Sequence, residues 1–297
     1  MPRRYLPELL LLAAVWGASF LFMRVSAPAF GPVPLIAIRV GVAALVLLPV
    51  LLWRRQGRAM LAQTKPLVVV GLVNSALPFS LFAFATLYLS AGLTAIVNST
   101  APLWTALVAF ALWHERLSAR RLLGILIGLG GMCILVWDKL GMSDALWAIG
   151  AGVLASLCYG FGANYTKRYL PGVPALVTTV GSQITATLML LPLAVWLWPT
   201  ASIPSQAWLA AIALGVLCTG LAYLLFFRLI NHVGPGNAVM VTFLIPIFGA
   251  FWGNLFLDEP VTLTMVLGGA VILFGTAYSM GVLRLGRAKA AAEGESA

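Results

Sequence analysis

Long uninterrupted apolar stretches and brief polar breaks alternate along this chain, with none of the period-two patterning of half-buried strands. Ten apolar runs can be laid out, at approximately 7–28, 33–53, 66–89, 93–113, 120–137, 145–166, 174–198, 206–230, 236–257 and 261–283. They are joined by connectors as short as "SAGL" and "HERLSAR". About 20 apolar residues at ~1.5 Å rise each cross a hydrocarbon core about 30 Å thick, so each run predicts a spanning helix. The fold class expected is therefore an all-α polytopic membrane protein of ten transmembrane helices. A transmembrane barrel would show short alternating segments, which are missing here. Outside the bundle there remains only a polar tail, "RLGRAKAAAEGESA".

The pattern occurs twice. Shifting the chain by 144 residues sets Pro102 on Pro246, Glu115 on Glu259, Gly92 on Gly236, Gly124 on Gly268 and Gly131 on Gly275. A shift of 143 sets Trp16-Gly17 on Tyr159-Gly160 and Arg24 on Lys167. Each copy holds five spans, an odd number, so the second copy enters the membrane from the opposite face. The expected organisation is a first five-helix repeat over 1–143, an inverted second repeat over 144–284, and a cytoplasmic tail over 285–297.

Charge supports this topology. The chain is 62% hydrophobic and 9% charged, against roughly 25% charged residues in an ordinary soluble domain. Its formal net charge of +10 reads as loop charge that sets orientation, and no basic patch interleaved with aromatics suggests a nucleic-acid surface. With the N-terminus inside, fifteen of the eighteen Lys and Arg residues fall on the cytoplasmic side. "HERLSARR" closes the fourth run with Arg116, Arg120 and Arg121, whereas "LDEPVTLT" closes the ninth with no base at all. The lost charge is what inversion requires, because the ninth connector faces outward. The N-terminal stretch to Met23 resembles a signal peptide but runs long and has a partner in the second half, so it reads as a retained first span. Cys133, Cys158 and Cys218 are odd in number and lie in apolar runs, where they read as small core residues.

Two copies of five spans, with "AP" opening the fourth, "HERLSARRLLGILIGLGG" across the fourth connector, "LDEPVTLTMVLGGAVILFG" across the ninth and "WG…R" in the first, resemble the drug/metabolite transporter superfamily, and within it the EamA-type exporters. The resemblance covers nearly the whole chain. It implies a secondary transporter of the bacterial inner membrane, with its amino-acid-exporting branch, including aromatic amino acids, the nearest fit. The charge distribution and the ten spans give both termini as cytoplasmic. Inverted repeats commonly place the substrate site near the midplane between the halves.

Other chemistry is poorly supported by the residues. "HERLS" starts like a zinc-protease helix motif, but Ser118 stands where the second His is needed. No G-x-x-x-x-G-K occurs, and neither a cofactor nor a metal is expected. All eight acidic residues, Glu8, Glu115, Asp138, Asp144, Asp258, Glu259, Glu293 and Glu295, lie at span ends, in connectors or in the tail. The embedded carboxylate that usually serves as a proton relay or cation counter-ion has no candidate. Glu115 and Glu259 read as caps or partners of loop charges. Arg39, within "LIAIRVGVAAL", costs roughly 2.5–3.5 kcal/mol to insert at a helix centre, and less where its stem lets the head snorkel. Two readings stand for it: pairing with backbone carbonyls near the outer end, or attraction of an anionic group. Its repeat position holds Ser182, beside Gln183.

For a central site the candidates are Trp16, Phe20, Phe79, Asn98, Trp104, Tyr159 and Tyr223, with Ser19, Asn164 and Thr242 beside them. Trp16, Ser19 and Phe20 share one helical face, and an amide such as Asn98 inside a span must find a partner. The cargo expected is small metabolites, chiefly amino acids with large neutral or aromatic side chains, exported by alternating access. Surrounding lipid is the other partner. Nothing in the sequence fixes an oligomeric state, and a monomer is compatible with it. The rival readings are a multidrug or sugar/nucleoside-type carrier and, from another class, a membrane-embedded lipid-modifying enzyme, which would need a catalytic cluster at membrane depth.

Overall fold

A computed structural model of the protein describes residues 3–137 and 139–282. Asp138 and the polar tail assigned to 285–297 lie outside the described residues. Among the described residues, nine helices are long and apolar enough to cross a membrane: Leu6–Phe30, Pro32–Trp53, Thr64–Tyr88, Ala91–Trp113, Ala119–Trp137, Ser143–Tyr169, Ala175–Trp196, Ser205–Val233 and Leu263–Met280. The ninth expected span is an interrupted one, built from Pro235–Ala238, a tight turn at Val239–Phe243 and the helix Ile245–Leu257. Counting along the chain, these are spans one to ten, and the apolar pattern located each to within a few residues. The second connector, expected as a loop, carries a short helix at Gly57–Ala62.

Three irregularities recur at the same place in both repeats. A wide π turn interrupts span three at Leu72–Ala76 and span eight at Val216–Leu221. Span four breaks between Ala91–Asn98 and Ala101–Trp113, as span nine breaks before Ile245. The sequence pattern shows both as continuous runs. The break has a local cause: Pro102 and Pro246 offer no N–H to the preceding turn. The hydroxyls of Ser99, Thr100 and Thr242 also donate to carbonyls three residues back, at 2.6, 2.7 and 2.8 Å. Such bonds compete with the helical ladder. Finally, His114 and Asp258 end spans four and nine in the left-handed region, with φ of 54° and 52°. The following Glu115 and Glu259 amides bond back to Ala109 O and Gly253 O at 3.1 and 3.2 Å.

Lipid tails are as apolar as the helices, so close backbone approach and polar contacts must hold such a bundle together. Glycines provide that approach at matched places. Spans five and ten meet backbone to backbone: a Cβ on Gly124 would lie 2.6 Å from Gly275 O, and one on Gly131 would lie 2.8 Å from Gly268 O. Gly17 of span one seats against Phe248 and Gly249 of span nine, and Gly160 of span six against Trp104 and Thr105 of span four. Each repeat thus lends its first helix to the fourth helix of the other. Gly249 also faces Ala95, and Gly253 faces Ala91 and Glu259, so the "GAFWG" stretch is a packing face. Exposed Trp53, Trp137, Trp147 and Trp196 stand near span ends, where aromatic belts mark membrane interfaces.

Gly275→Ala should destabilise the protein measurably, because the added Cβ would sit 2.5 Å from the Gly128 backbone nitrogen, which cannot give way. Overpacking of this kind costs about 1–3 kcal/mol. Gly130→Ala, with nothing within 4 Å of the new methyl, should leave stability unchanged. Thermal unfolding of both variants in detergent, followed by size-exclusion chromatography, provides the comparison.

Candidate functional site

The helices enclose a cavity of about 630 Å³. Its exposed lining residues, Arg121, Ala163, Lys167 and Met280, lie together at one end, beside Glu115. From that mouth it runs past Asn98, Ser99, Thr105 and Asn164 to a floor of buried Met23, Arg39, Phe79, Phe82 and Cys218. Small residues of the broken span four, Ala101, Pro102, Ala106 and Ala109, form one wall. A bulkier helix face there would fill the space.

The walls carry most of the side chains anticipated from sequence. Trp16, Phe20, Phe79, Asn98, Tyr159 and Tyr223 all line the cavity, as do Ser19, Asn164 and Thr242. Trp16 meets Tyr223 edge-on at 6.2 Å between ring centroids, Phe20 meets Phe82 at 5.9 Å, and Phe79 meets Tyr159 at 6.3 Å. Such edge-to-face pairs hold the rings in place. Trp104 is the exception. Its indole nitrogen donates to Thr100 Oγ1 at 3.1 Å, one turn back on its own span, which lays the ring along the helix and away from the cavity lining. Its backbone serves instead as the seat for Gly160.

The Asn98 amide has no hydrogen-bond partner among the described residues, so its donors and acceptor are free to meet a ligand. Asn164 differs: its amide nitrogen donates to Thr105 O and Gly160 O, both at 2.9 Å, and ties span six to span four.

Arg39 decides the electrostatics. It is 5% exposed, and neither backbone carbonyl nor carboxylate reaches it among the described residues. Nε donates to Thr219 Oγ1 at 3.0 Å, and Nη1 lies 3.7 Å from Met23 Sδ. The guanidinium carbon stands 3.7 Å over the Phe79 ring, a cation–π contact. Nη2 has no protein partner among the described residues. A charge with so little compensation is costly in a low-dielectric interior, and an anionic ligand would relieve that cost. Of the two sequence readings, pairing with carbonyls fails, and the site gains a fixed positive charge that a lining of neutral amides would not have.

Thr219 belongs to the π turn of span eight, and π turns recur at functional sites. The second repeat makes the same bond from Gln183 Nε2 to Ser75 Oγ, 3.0 Å long, in the π turn of span three. Gln183, rather than Ser182, is thus the structural counterpart of Arg39. The one-residue difference arises because the two halves align at 144 here and at 143 in span one.

Two further ion pairs are repeat-related. Arg24 Nε lies 3.2 Å from Glu259 Oε1, and Lys167 Nζ lies 2.9 Å from Glu115 Oε1. Each joins the first helix of one repeat to the turn after the fourth helix of the other. The Arg24 pair is the more enclosed, with side chains 33% and 13% exposed against 71% and 42% for the Lys167 pair. It is also braced, by Arg24 Nη1 on Thr86 O and Leu87 O at 2.6 and 2.9 Å and by the Ala91 amide on Glu259 Oε2 at 2.8 Å. The hydrogen bond from Lys167 holds the Glu115 carboxyl below its ordinary range. That pair therefore stands at neutral pH and is lost only as pH falls through the lowered value. Sequence shifts had matched Arg24 to Lys167 and Glu115 to Glu259 without joining one set to the other.

A bundle of two inverted repeats around a cavity open at one end is the architecture of a secondary transporter, and among the described residues no cluster of His, Cys, Asp or Glu could hold a metal. The chain belongs to the EamA-like transporter family, whose profile matches it twice, over residues 8–137 and 146–281. Similar curated proteins include the uncharacterized transporter YoaV of Bacillus subtilis (strain 168), 20% identical over 269 residues, covering 88% of this chain and 91% of that protein. The "Probable amino-acid metabolite efflux pump" of Escherichia coli (strain K12) is 24% identical over 278 residues, covering 90% of this chain and 91% of that protein. Protein PecM of Dickeya dadantii (strain 3937) is 25% identical over 265 residues, covering 86% and 84%. A solved crystal structure with 20% identity superposes with a TM-score of 0.66 over 93% of this chain and 96% of that one, which speaks to the fold. The protein is a multi-pass membrane transporter, not an enzyme.

Cysteines introduced at Asn98 and Tyr159, on a background lacking Cys133, Cys158 and Cys218, should react with a small hydrophilic maleimide admitted at the Lys167 face. A cysteine at Trp104 should stay unmodified under the same conditions. Labelling of all three at one rate would mean that the cavity is lined differently.

Proposed function

We propose that the protein exports small carboxylate-bearing metabolites with a large apolar or aromatic body, amino acids among them, by alternating access across the bacterial inner membrane. The observation that carries this reading is the uncompensated Arg39 guanidinium at the floor of an aromatic-walled cavity. A carboxylate can pair with its open nitrogen, while Phe20, Phe79, Phe82, Tyr159 and Trp16 supply apolar area for the rest of the molecule. The Escherichia coli relative, by its name an amino-acid metabolite efflux pump, agrees with this chemistry. A multidrug carrier of organic cations fits less well, because among the described residues no carboxylate faces the cavity floor.

The basic face at Arg54, Arg55, Arg116, Arg120 and Arg121 is taken as cytoplasmic by the positive-inside rule, with both termini on that side. The division at 143/144 into inverted repeats is supported by the two separate profile matches and by the paired π turns and breaks. On this orientation the cavity opens to the cytoplasm through the Glu115–Lys167 mouth. The outer end is closed where spans one and nine meet, under the braced Arg24–Glu259 pair. Rocking the repeats about the glycine contact of spans five and ten would part Arg24 from Glu259 and separate spans one and nine at the outer end. Substrate would then leave outward.

Cysteines at positions 118 and 262 should label from opposite sides of the membrane, and labelling from one side would remove the inverted topology. In liposomes the purified protein should move labelled phenylalanine and leucine faster than protein-free vesicles do. Asn98→Ala, if well folded, should slow that transport roughly threefold to tenfold, the equivalent of about 0.5–1.5 kcal/mol for one neutral hydrogen bond. Unchanged transport in a folded variant would remove Asn98 from the substrate's contacts.

A further inference from the structure

The charges along the cavity are one-sided. Its lining holds three cations, Arg39, Arg121 and Lys167, and a single carboxylate, Glu115, at the mouth. That carboxylate is already engaged by Lys167 at 2.9 Å. At the floor the only charge among the described residues is Arg39, and the polar groups around it include the phenols of Tyr159 and Tyr223, the Cys218 thiol and Thr219. An amino acid brings two charges. The floor answers its carboxylate but has no anion for its ammonium, which would be desolvated against aromatic rings with only neutral partners such as Asn98. Burying an unpaired charge is expensive, so the ammonium is a burden in this site rather than a handle.

We propose that the site selects the carboxylate alone, and that its preferred ligands are amine-free monocarboxylates with an aromatic or bulky apolar body, carried as monoanions. This deepens the transport reading given above and rests on it. A coupling consequence follows from charge. If Arg39 stays in the protein while the substrate crosses, each cycle moves one negative charge outward. An inside-negative membrane potential favours that movement. Export then needs neither proton nor sodium, which agrees with the absence of any carboxylate at the cavity floor among the described residues. A zwitterion, being net neutral, would gain nothing from the potential.

Three ligands that share a phenyl ring and a two-carbon chain separate the possibilities. They are 3-phenylpropionate with the carboxylate alone, phenylalanine with both groups, and phenethylamine with the ammonium alone. Each is tested as a labelled compound for uptake into proteoliposomes at pH 7.5, where carboxylates are ionised, with uptake by protein-free vesicles subtracted. Valinomycin and a tenfold inward potassium gradient set an inside-positive potential. The expected result is that 3-phenylpropionate enters fastest and approaches about tenfold accumulation, since a monoanion equilibrates with the same potential as potassium. Phenylalanine should enter more slowly and without response to the potential, and phenethylamine not at all. Arg39→Lys should retain part of the 3-phenylpropionate uptake, and Arg39→Gln should lose it. Phenylalanine carried while 3-phenylpropionate is not would overturn the proposal and leave amino-acid transport standing. So would 3-phenylpropionate uptake that ignores the potential. Uptake of phenethylamine alone, or of none of the three, would overturn both readings. The wild-type comparison does not depend on any variant folding.

Discussion

Backbone contact at glycine is the constraint on which this molecule is built. In lipid, helices gain nothing from burying apolar side chains against each other instead of against acyl tails. What holds them is the density of close contact, and a missing Cβ allows the closest. The Gly124–Gly275 and Gly131–Gly268 contacts fuse the two repeats along spans five and ten. The Gly17 and Gly160 contacts then cross-link the repeats at either end of the cavity. Because those two seats are equivalent by the repeat symmetry, a tight closure at one end has a ready-made counterpart at the other. The cavity lies between these two seats, where the small residues of span four leave space.

The symmetry is broken where function needs it. Arg39 and Gln183 make the same hydrogen bond to hydroxyls in equivalent π turns, yet only one of them is charged. The guanidinium faces the cavity, whereas Gln183 is packed among helices. A transporter with a charge in both copies would hold two anions or repel its own floor. The ion pairs differ in the same manner: equivalent in position, unequal in burial and bracing.

Much of this was legible beforehand because the membrane imposes simple rules. Ten apolar runs must be ten crossings, and an odd number per repeat must invert the second copy. The rings of Trp16, Phe20, Phe79, Tyr159 and Tyr223, with Asn98, were found because polar and aromatic groups inside spans gather away from lipid. Trp104 obeyed the same pattern and still went elsewhere. A hydroxyl one turn back captured its indole, and no apolar pattern registers that choice.

The sequence by itself determined the class, the number of crossings, the inverted repeat and the face that carries positive charge, since each follows from length, hydropathy and the count of helices. Only the tertiary structure decided which charges meet. Arg24 with Glu259 and Lys167 with Glu115 are separated by 235 and 52 residues, and a repeat match says that two residues are equivalent, not what each one touches. The fate of Arg39 was likewise open until spans two, three and eight came together. Whether a buried guanidinium is silenced by carbonyls or left facing a cavity depends on neighbours that no single helix supplies.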